Sequence, residues 1–197
     1  MTSEHLDESW SGGHYELVVH LGERSPIRAA TALRALWAQP PLDGCFLSRT
    51  LPPTERKGVN PNDHLEETLY GIATLPNETR VPCGSALWQF EDGSDWIALF
   101  LPLGSISKGY PVGPFPFIGG YPDWQREVDD WLRKIADRMF KVISFDLAII
   151  GFEVDFSDAF IENVQEMVVP DERLDGWLLR SGRDLKWYPP TTSTNVP

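Results

Sequence analysis

Apolar and polar residues alternate near the start of the chain, in the stretch HYELVVHL at 14–21. This period of two predicts a strand with one buried face. After Gly22, Ser25 offers a helix N-cap and Pro26 suits the first helical position; apolar residues then recur at helical spacing as far as Trp37. Two prolines follow and end the helix, because proline cannot donate a backbone hydrogen bond. The pattern therefore predicts a strand and then a helix that packs back against it.

Four further segments have the composition of strands: 44–49, 67–75, 80–90 and 95–103. The short polar sequences PNET and EDGS separate the last three, which predicts an antiparallel meander. The segment 95–103 is apolar on both faces, so we expect it to be a central strand that is covered on both sides.

The clearest helical pattern follows Asp123, which is placed to act as its N-cap. Seven apolar residues from Trp124 to Val142 keep to one stripe, and charged residues, Asp129 among them, occupy the remaining face. Three more elements complete the prediction: a buried strand over 144–155, a short helix over 157–167 capped by Ser157, and a hairpin over 176–188 that turns around Ser181 and Gly182.

This order of elements predicts an α+β fold in a single domain over residues 14–188. We expect a mostly antiparallel or mixed sheet with the two main helices packed on one face. Residues 1–13 and 189–197 are polar or rich in proline and threonine, which predicts flexible tails at both ends.

The chain is acidic, with 29 Asp and Glu against 17 Lys and Arg among 197 residues and a net charge of −12. A phosphate backbone or an anionic membrane attracts basic patches, so this charge argues against binding to nucleic acid or to a membrane. No run approaches the roughly 18 to 20 apolar residues of a membrane span, and the start lacks the basic and apolar regions of a secretory signal. We therefore expect a cytoplasmic protein.

Local signatures of cofactor and metal chemistry are absent from the sequence. It contains no phosphate-binding glycine loop, no dinucleotide fingerprint and no zinc-protease motif, so we expect no cofactor. Cys45 and Cys83 are far apart and have no CxxC spacing, which favours two buried core residues over a disulfide or a metal site. His14 and His20 would share a strand face about 20 Å apart, too far to bind one metal ion.

Three carboxylates, Glu153, Asp155 and Asp158, lie where the predicted strand 144–155 ends. Glu153 and Asp155 would point to the same face, and closely spaced oxygen ligands suit a hard cation. The favoured interpretation is nevertheless structural, since polar residues commonly end strands and Asp158 suits a helix start. We predict no metal site there and keep the three residues as candidates for binding.

The connector GYPVGPFPFIGGYPDW at 109–124 combines glycines and prolines with five aromatic rings, those of Tyr110, Phe115, Phe117, Tyr121 and Trp124. Two accounts compete for it. The rings either fold inward as a compact loop that caps the core, or remain outside as a stiff surface for binding. We expect partial burial, with Phe115, Phe117 and Trp124 inward and the two tyrosines near the surface.

These features favour a non-catalytic binding protein that engages a partner protein with a basic surface, such as an inhibitor or immunity-type protein that masks a basic enzyme. The segment 146–175 carries nine carboxylates against Arg173 alone, which would steer a basic partner, and aromatic rings would anchor it. One alternative is a small-molecule site or an enzyme, in which the connector closes over a pocket with Glu153, Asp155 or His20. Another is a structural subunit of a homo-oligomer, with the rings buried against a second copy.

Overall fold

The structure is a computed structural model that describes residues 7–49, 55–113, 121–154 and 166–191. The strands are β1 (His14–Glu23), β2 (Leu42–Phe46), β3 (Leu69–Thr74), β4 (Arg80–Gln89), β5 (Ser94–Pro102), β6 (Leu147–Phe152), β7 (Gly176–Ser181) and β8 (Asp184–Tyr188). The helices are α1 (Pro26–Trp37), α2 (Leu103–Ile106) and α3 (Asp123–Val142). Within the described residues, the strands form one eight-stranded antiparallel sheet, which confirms the predicted α+β fold.

The sheet has the strand order β2-β3-β4-β5-β1-β6-β7-β8, so the first strand of the chain lies near its centre. Tyr15 of β1 is opposite Leu101 of β5 on one side and Phe152 of β6 on the other. The predicted meander is confirmed as β3, β4 and β5, and β5 is buried along almost its whole length. A pairing irregularity between His20 and Gly22 of β1 interrupts the ladder with β5 near its end.

Both main helices cover the same face of the sheet, as predicted. The apolar side chains of β1 at Tyr15, Leu17 and Val19 belong to one buried cluster with residues of α1 and α3. On the opposite face, Val18 lies in a second buried cluster that includes Trp96 and Trp177. The alternation along β1 therefore places consecutive residues in two separate cores, because successive side chains of a strand point to opposite faces.

The two main helices begin differently. The predicted N-cap of α1 is confirmed, since the Oγ atom of Ser25 accepts a hydrogen bond of 3.3 Å from the backbone N–H of Arg28. The predicted N-cap of α3 is wrong: Asp123 is the first helical residue, and Pro122 precedes it without a side-chain capping bond. The carboxylate of Asp123 remains favourable there because it lies at the positive end of the helix dipole.

Part of each predicted tail contacts the rest of the chain. Residues 7–10 form a 3-10 helix, and the ring of Trp10 packs edge-on against Tyr70 with centroids 5.4 Å apart. The backbone N–H of Thr191 donates to the carbonyl of Arg173 at 2.9 Å. The predicted terminal hairpin is confirmed as β7 and β8, with Gly182 in the left-handed region at φ 68°. The predicted helix over 157–167 falls mostly outside the described residues.

No helix in the described part of the chain has both the length and the apolar composition needed to cross a bilayer. The exposed face of α3 carries charged side chains of both signs.

Cys45 and Cys83 are both free and buried, in agreement with the prediction of core residues. Burial raises the pKa of the Cys45 thiol to about 11 and raises that of Cys83 still further above its usual range. Because the thiolate is the reactive form, we expect neither thiol to react with Ellman's reagent in the native protein, whereas both react in denaturant. Rapid labelling of either thiol without denaturant would contradict this packing.

Candidate functional site

The two tyrosines of the connector are both attached to the first half of α3. The hydroxyl of Tyr110 donates a hydrogen bond of 3.0 Å to Glu127, and the hydroxyl of Tyr121 donates to Asp129. Both rings are partly buried, and the guanidinium of Arg126 lies 5.3 Å from the ring centre of Tyr121. These contacts fix the two rings beside the helix near the surface, where the sequence placed them.

Trp124 is a core residue. Its side chain is 5 % exposed, and its ring packs edge-on against that of Tyr15 with centroids 5.7 Å apart. This agrees with the expected inward orientation and removes Trp124 from the surface available to a partner. Phe115 and Phe117, the other two predicted contacts in the connector, lie outside the described residues.

A buried carboxylate links β1, α3 and the end of the connector. Asp129 is 1 % exposed, and its Oδ1 atom accepts a hydrogen bond of 2.5 Å from the hydroxyl of Tyr15. Its Oδ2 atom accepts from Tyr121, and the side-chain amide of Gln125 donates to the Tyr15 oxygen at 3.0 Å. Burial raises the pKa of Asp129 to about 7, although both tyrosine hydrogen bonds act to lower it.

The burial of Asp129 corrects the sequence analysis, which placed this residue on the solvent face of the helix. Ala136 follows seven positions later, about two turns along the same line of the helix, and it is also fully buried. Gln125, one turn earlier, is 7 % exposed. The small residue at 136 is therefore the sequence signal that the buried stripe extends to Asp129. The hydrogen-bond donor to this carboxylate, Tyr15, lies on a distant strand, so the sequence around Asp129 does not reveal it.

A second buried carboxylate lies on the opposite face of the sheet. Glu16 is 6 % exposed and accepts a hydrogen bond from the backbone N–H of Val154. Burial, followed by the negative charge of Glu153, raises the pKa of Glu16 to about 7. Gly151 is paired with Glu16, and a Cβ atom on Gly151 would lie 1.8 Å from the carboxylate of Asp175. Glycine at 151 is thus what allows Asp175 to lie over the sheet next to Glu16.

The structure places only one of the three strand-end carboxylates. Glu153 follows the end of β6, is exposed and has φ 44°, which is outside the extended conformation that the predicted strand required at this residue. Asp155 and Asp158 lie outside the described residues. In the described part of the chain, no group of three or more His, Cys, Asp or Glu side chains has an arrangement that could hold a metal ion.

The histidines of β1 pack against aromatic rings. His14 contacts Phe100 with ring centroids 5.0 Å apart, and His20 contacts Trp96 at 4.5 Å. Burial is the main cause that lowers the pKa of each. His20 lines an open depression with Arg24 and Asp92 on the sheet face opposite Tyr15, so it is not brought together with the connector tyrosines.

No family model matches the chain, and the searches of curated proteins and of solved structures found no match either.

Proposed function

We propose that the protein is a non-catalytic binding protein that engages a basic surface of a partner protein through Tyr110 and Tyr121. The observation that carries this proposal is the attachment of both hydroxyls to carboxylates of α3, at Glu127 and Asp129. Rings held in this way lose little conformational freedom on binding, and tyrosine gives a large contact area for that cost. The two rings are therefore suited to act as anchors.

Near these anchors, carboxylates outnumber the arginines beside them, since Arg126 pairs with Asp123 and Arg133 pairs with Asp130. Three exposed carboxylates on the first half of α3, which we call the acidic rim, are those of Asp123, Glu127 and Asp130. Asp175 adds to the same field, because its charge contributes to the raised pKa of both Asp129 and Glu16. Together with the net charge of −12, this arrangement favours fast association with a positively charged surface.

The small-molecule alternative receives less support from the geometry. It required the connector rings and His20, Glu153 or Asp155 to line a common pocket. His20 lies on the other face of the sheet from Tyr15 and from the helices, and Glu153 is an exposed residue after β6. The homo-oligomer alternative makes its own prediction, a molar mass above 22.3 kDa in light scattering of the purified chain.

Salt dependence tests the electrostatic part of the proposal. A partner captured from a lysate of the source cells is purified, and its association rate is measured by surface plasmon resonance at about 50 mM and about 500 mM NaCl. We expect the rate to fall by about tenfold or more. The variant Asp123→Asn/Glu127→Gln should lower the rate at low salt, whereas Asp184→Asn on the edge strand β8 should not. A rate that does not change with salt would contradict steering.

Removal of the tyrosines tests the anchors. We expect the variant Tyr110→Ala/Tyr121→Ala to weaken the complex by about 2 kcal/mol or more, mainly through faster dissociation. Tyr188→Ala is the matched control, since Tyr188 is also partly buried and also stacks with a cation, at 4.6 Å from Lys186. Circular dichroism verifies that each variant is folded. An unchanged affinity in a folded double variant would rule out the anchor role.

A further inference from the structure

We propose that Asp129 is a proton-controlled switch: its Oδ2 atom takes up a proton, and the hydrogen bond to Tyr121 then reverses direction. In the ionised state the carboxylate accepts from two tyrosine hydroxyls, Tyr15 at Oδ1 and Tyr121 at Oδ2. These three groups come from β1, from the end of the connector and from α3. The switch concerns the protein by itself and holds whether or not a partner binds.

The hydroxyl groups of Tyr15 and Tyr121 differ in their freedom to rotate. Tyr15 is fully buried, and its oxygen already accepts a hydrogen bond from Gln125. Its hydroxyl hydrogen has Asp129 as its acceptor, and turning away would leave a buried donor without a partner, which is costly. Tyr121 is only partly buried, so its hydroxyl hydrogen can turn toward water.

The added proton therefore resides on Oδ2, opposite Tyr121. A protonated Oδ2 is a donor, so the Tyr121 oxygen must become the acceptor and its own hydrogen must point to solvent. The charge-assisted hydrogen bond of the ionised state becomes a neutral one, which is roughly half as strong. Protonation thus weakens the link between Tyr121 and the helix but leaves the link to Tyr15 in place.

The charges around Asp129 favour uptake of the proton near neutral pH. Asp130 on the same helix and Asp175 ahead of β7 are both acidic and act on Asp129. Tyr15 and Gln125 are neutral, and Arg133 acts on Tyr121 from the same helix. Within the described residues, no basic side chain forms an ion pair with Asp129, so its charge is balanced by hydrogen bonds alone. Burial and these neighbours raise its pKa to about 7.

NMR of the purified protein labelled with ¹³C at the tyrosine Cζ atoms tests the switch. The Tyr121 signal, assigned with Tyr121→Phe, is expected to follow a titration with a midpoint near pH 7. Tyr110, whose acceptor Glu127 is exposed, is the internal reference. The titration should vanish in Asp129→Asn and persist in Asp130→Asn. A Tyr121 signal without this step, or a step that persists in Asp129→Asn, would overturn the proposal.

A second measurement tests the switch without a substitution at Asp129. In protein labelled with ¹³C at the aspartate carboxyls, the Asp129 midpoint is read directly. Tyr121→Phe removes a donor that stabilises the ionised form, so the midpoint should rise by about one pH unit. Tyr110→Phe is the matched control and should leave it unchanged. An equal midpoint in wild type and Tyr121→Phe would show that Tyr121 does not sense the proton on Asp129.

Discussion

Asp129→Asn is expected to make the protein more stable than the wild type at pH 8, by about 2–4 kcal/mol in the free energy of unfolding. The reason is that the wild type carries a negative charge at a site that is 1 % exposed, and the amide of asparagine is neutral at every pH. The substitution conserves the shape of the side chain, and its amide oxygen can still accept from a tyrosine hydroxyl.

The direction of the pH dependence follows from the pKa of Asp129 in the unfolded and folded states. In the unfolded chain this carboxyl titrates near 3.8, whereas burial raises its pKa to about 7 in the folded protein. The folded state therefore binds the proton more tightly, and the stability that this supplies is fully present below the lower value. This contribution is lost as the pH rises from about 4 to about 7, by up to about 4 kcal/mol. Above that pH, Asp129 causes no further change in the free energy of unfolding.

Urea denaturation between pH 4 and pH 9 measures this effect. The difference between wild type and Asp129→Asn should grow across the interval and then level off. Asp130→Asn is the matched control on the neighbouring residue; Asp130 is exposed and paired with Arg133 at 2.6 Å, so the change should stay within about 0.5 kcal/mol. Parallel curves for wild type and Asp129→Asn would show that the buried carboxyl is ionised at all these pH values. Glu16→Gln should also reduce the change in the free energy of unfolding over this pH interval, because the pKa of Glu16 is also about 7.

Trp124→Ala is expected to lower the free energy of unfolding by about 3–5 kcal/mol, because it leaves a cavity between α3 and the sheet. Trp124 is 5 % exposed and contacts Tyr15, which itself holds Asp129. Val142→Ala on the same helix is the control: Val142 is 62 % exposed, so the loss should be within about 0.5 kcal/mol. Urea denaturation at one pH compares the two variants.

Equal losses in the two helix variants would mean that the apolar stripe of α3 does not face the sheet at Trp124. The expected difference also determines how binding data are interpreted. A Trp124 variant that fails to bind a partner reports lost folding, whereas Tyr110 and Tyr121 are the connector residues whose removal tests contact. The connector therefore combines a residue that stabilises the core, Trp124, with two residues proposed to contact a partner.

The elements of the fold were predictable because each has a local cause. The alternation at 14–21 gave β1, Ser25 and Pro26 gave the start of α1, and the apolar stripe after Asp123 gave α3. Strand order was not predictable, since it depends on pairing between distant segments: β1 lies between β5 and β6 through backbone contacts that leave no mark on the local pattern.

The candidate site was predictable only in part. From the composition of the connector, the sequence predicted that its two tyrosines lie near the surface and that Trp124 points inward. Asp129 was misplaced because helical spacing puts it at the margin of the apolar stripe, and only the hydroxyls of Tyr15 and Tyr121 make a buried carboxylate tolerable there. Glu153 was expected on a strand face, and its positive φ ended that alternation.

The central position of β1 has a consequence for the order of events during synthesis. The ribosome releases β1 first, but its neighbours in the sheet begin only at Ser94 and Leu147. Closing such long loops is slow and exposes unpaired strand edges in the meantime. The nascent chain therefore leaves both edges of β1 without their sheet partners until two much later segments have been synthesised.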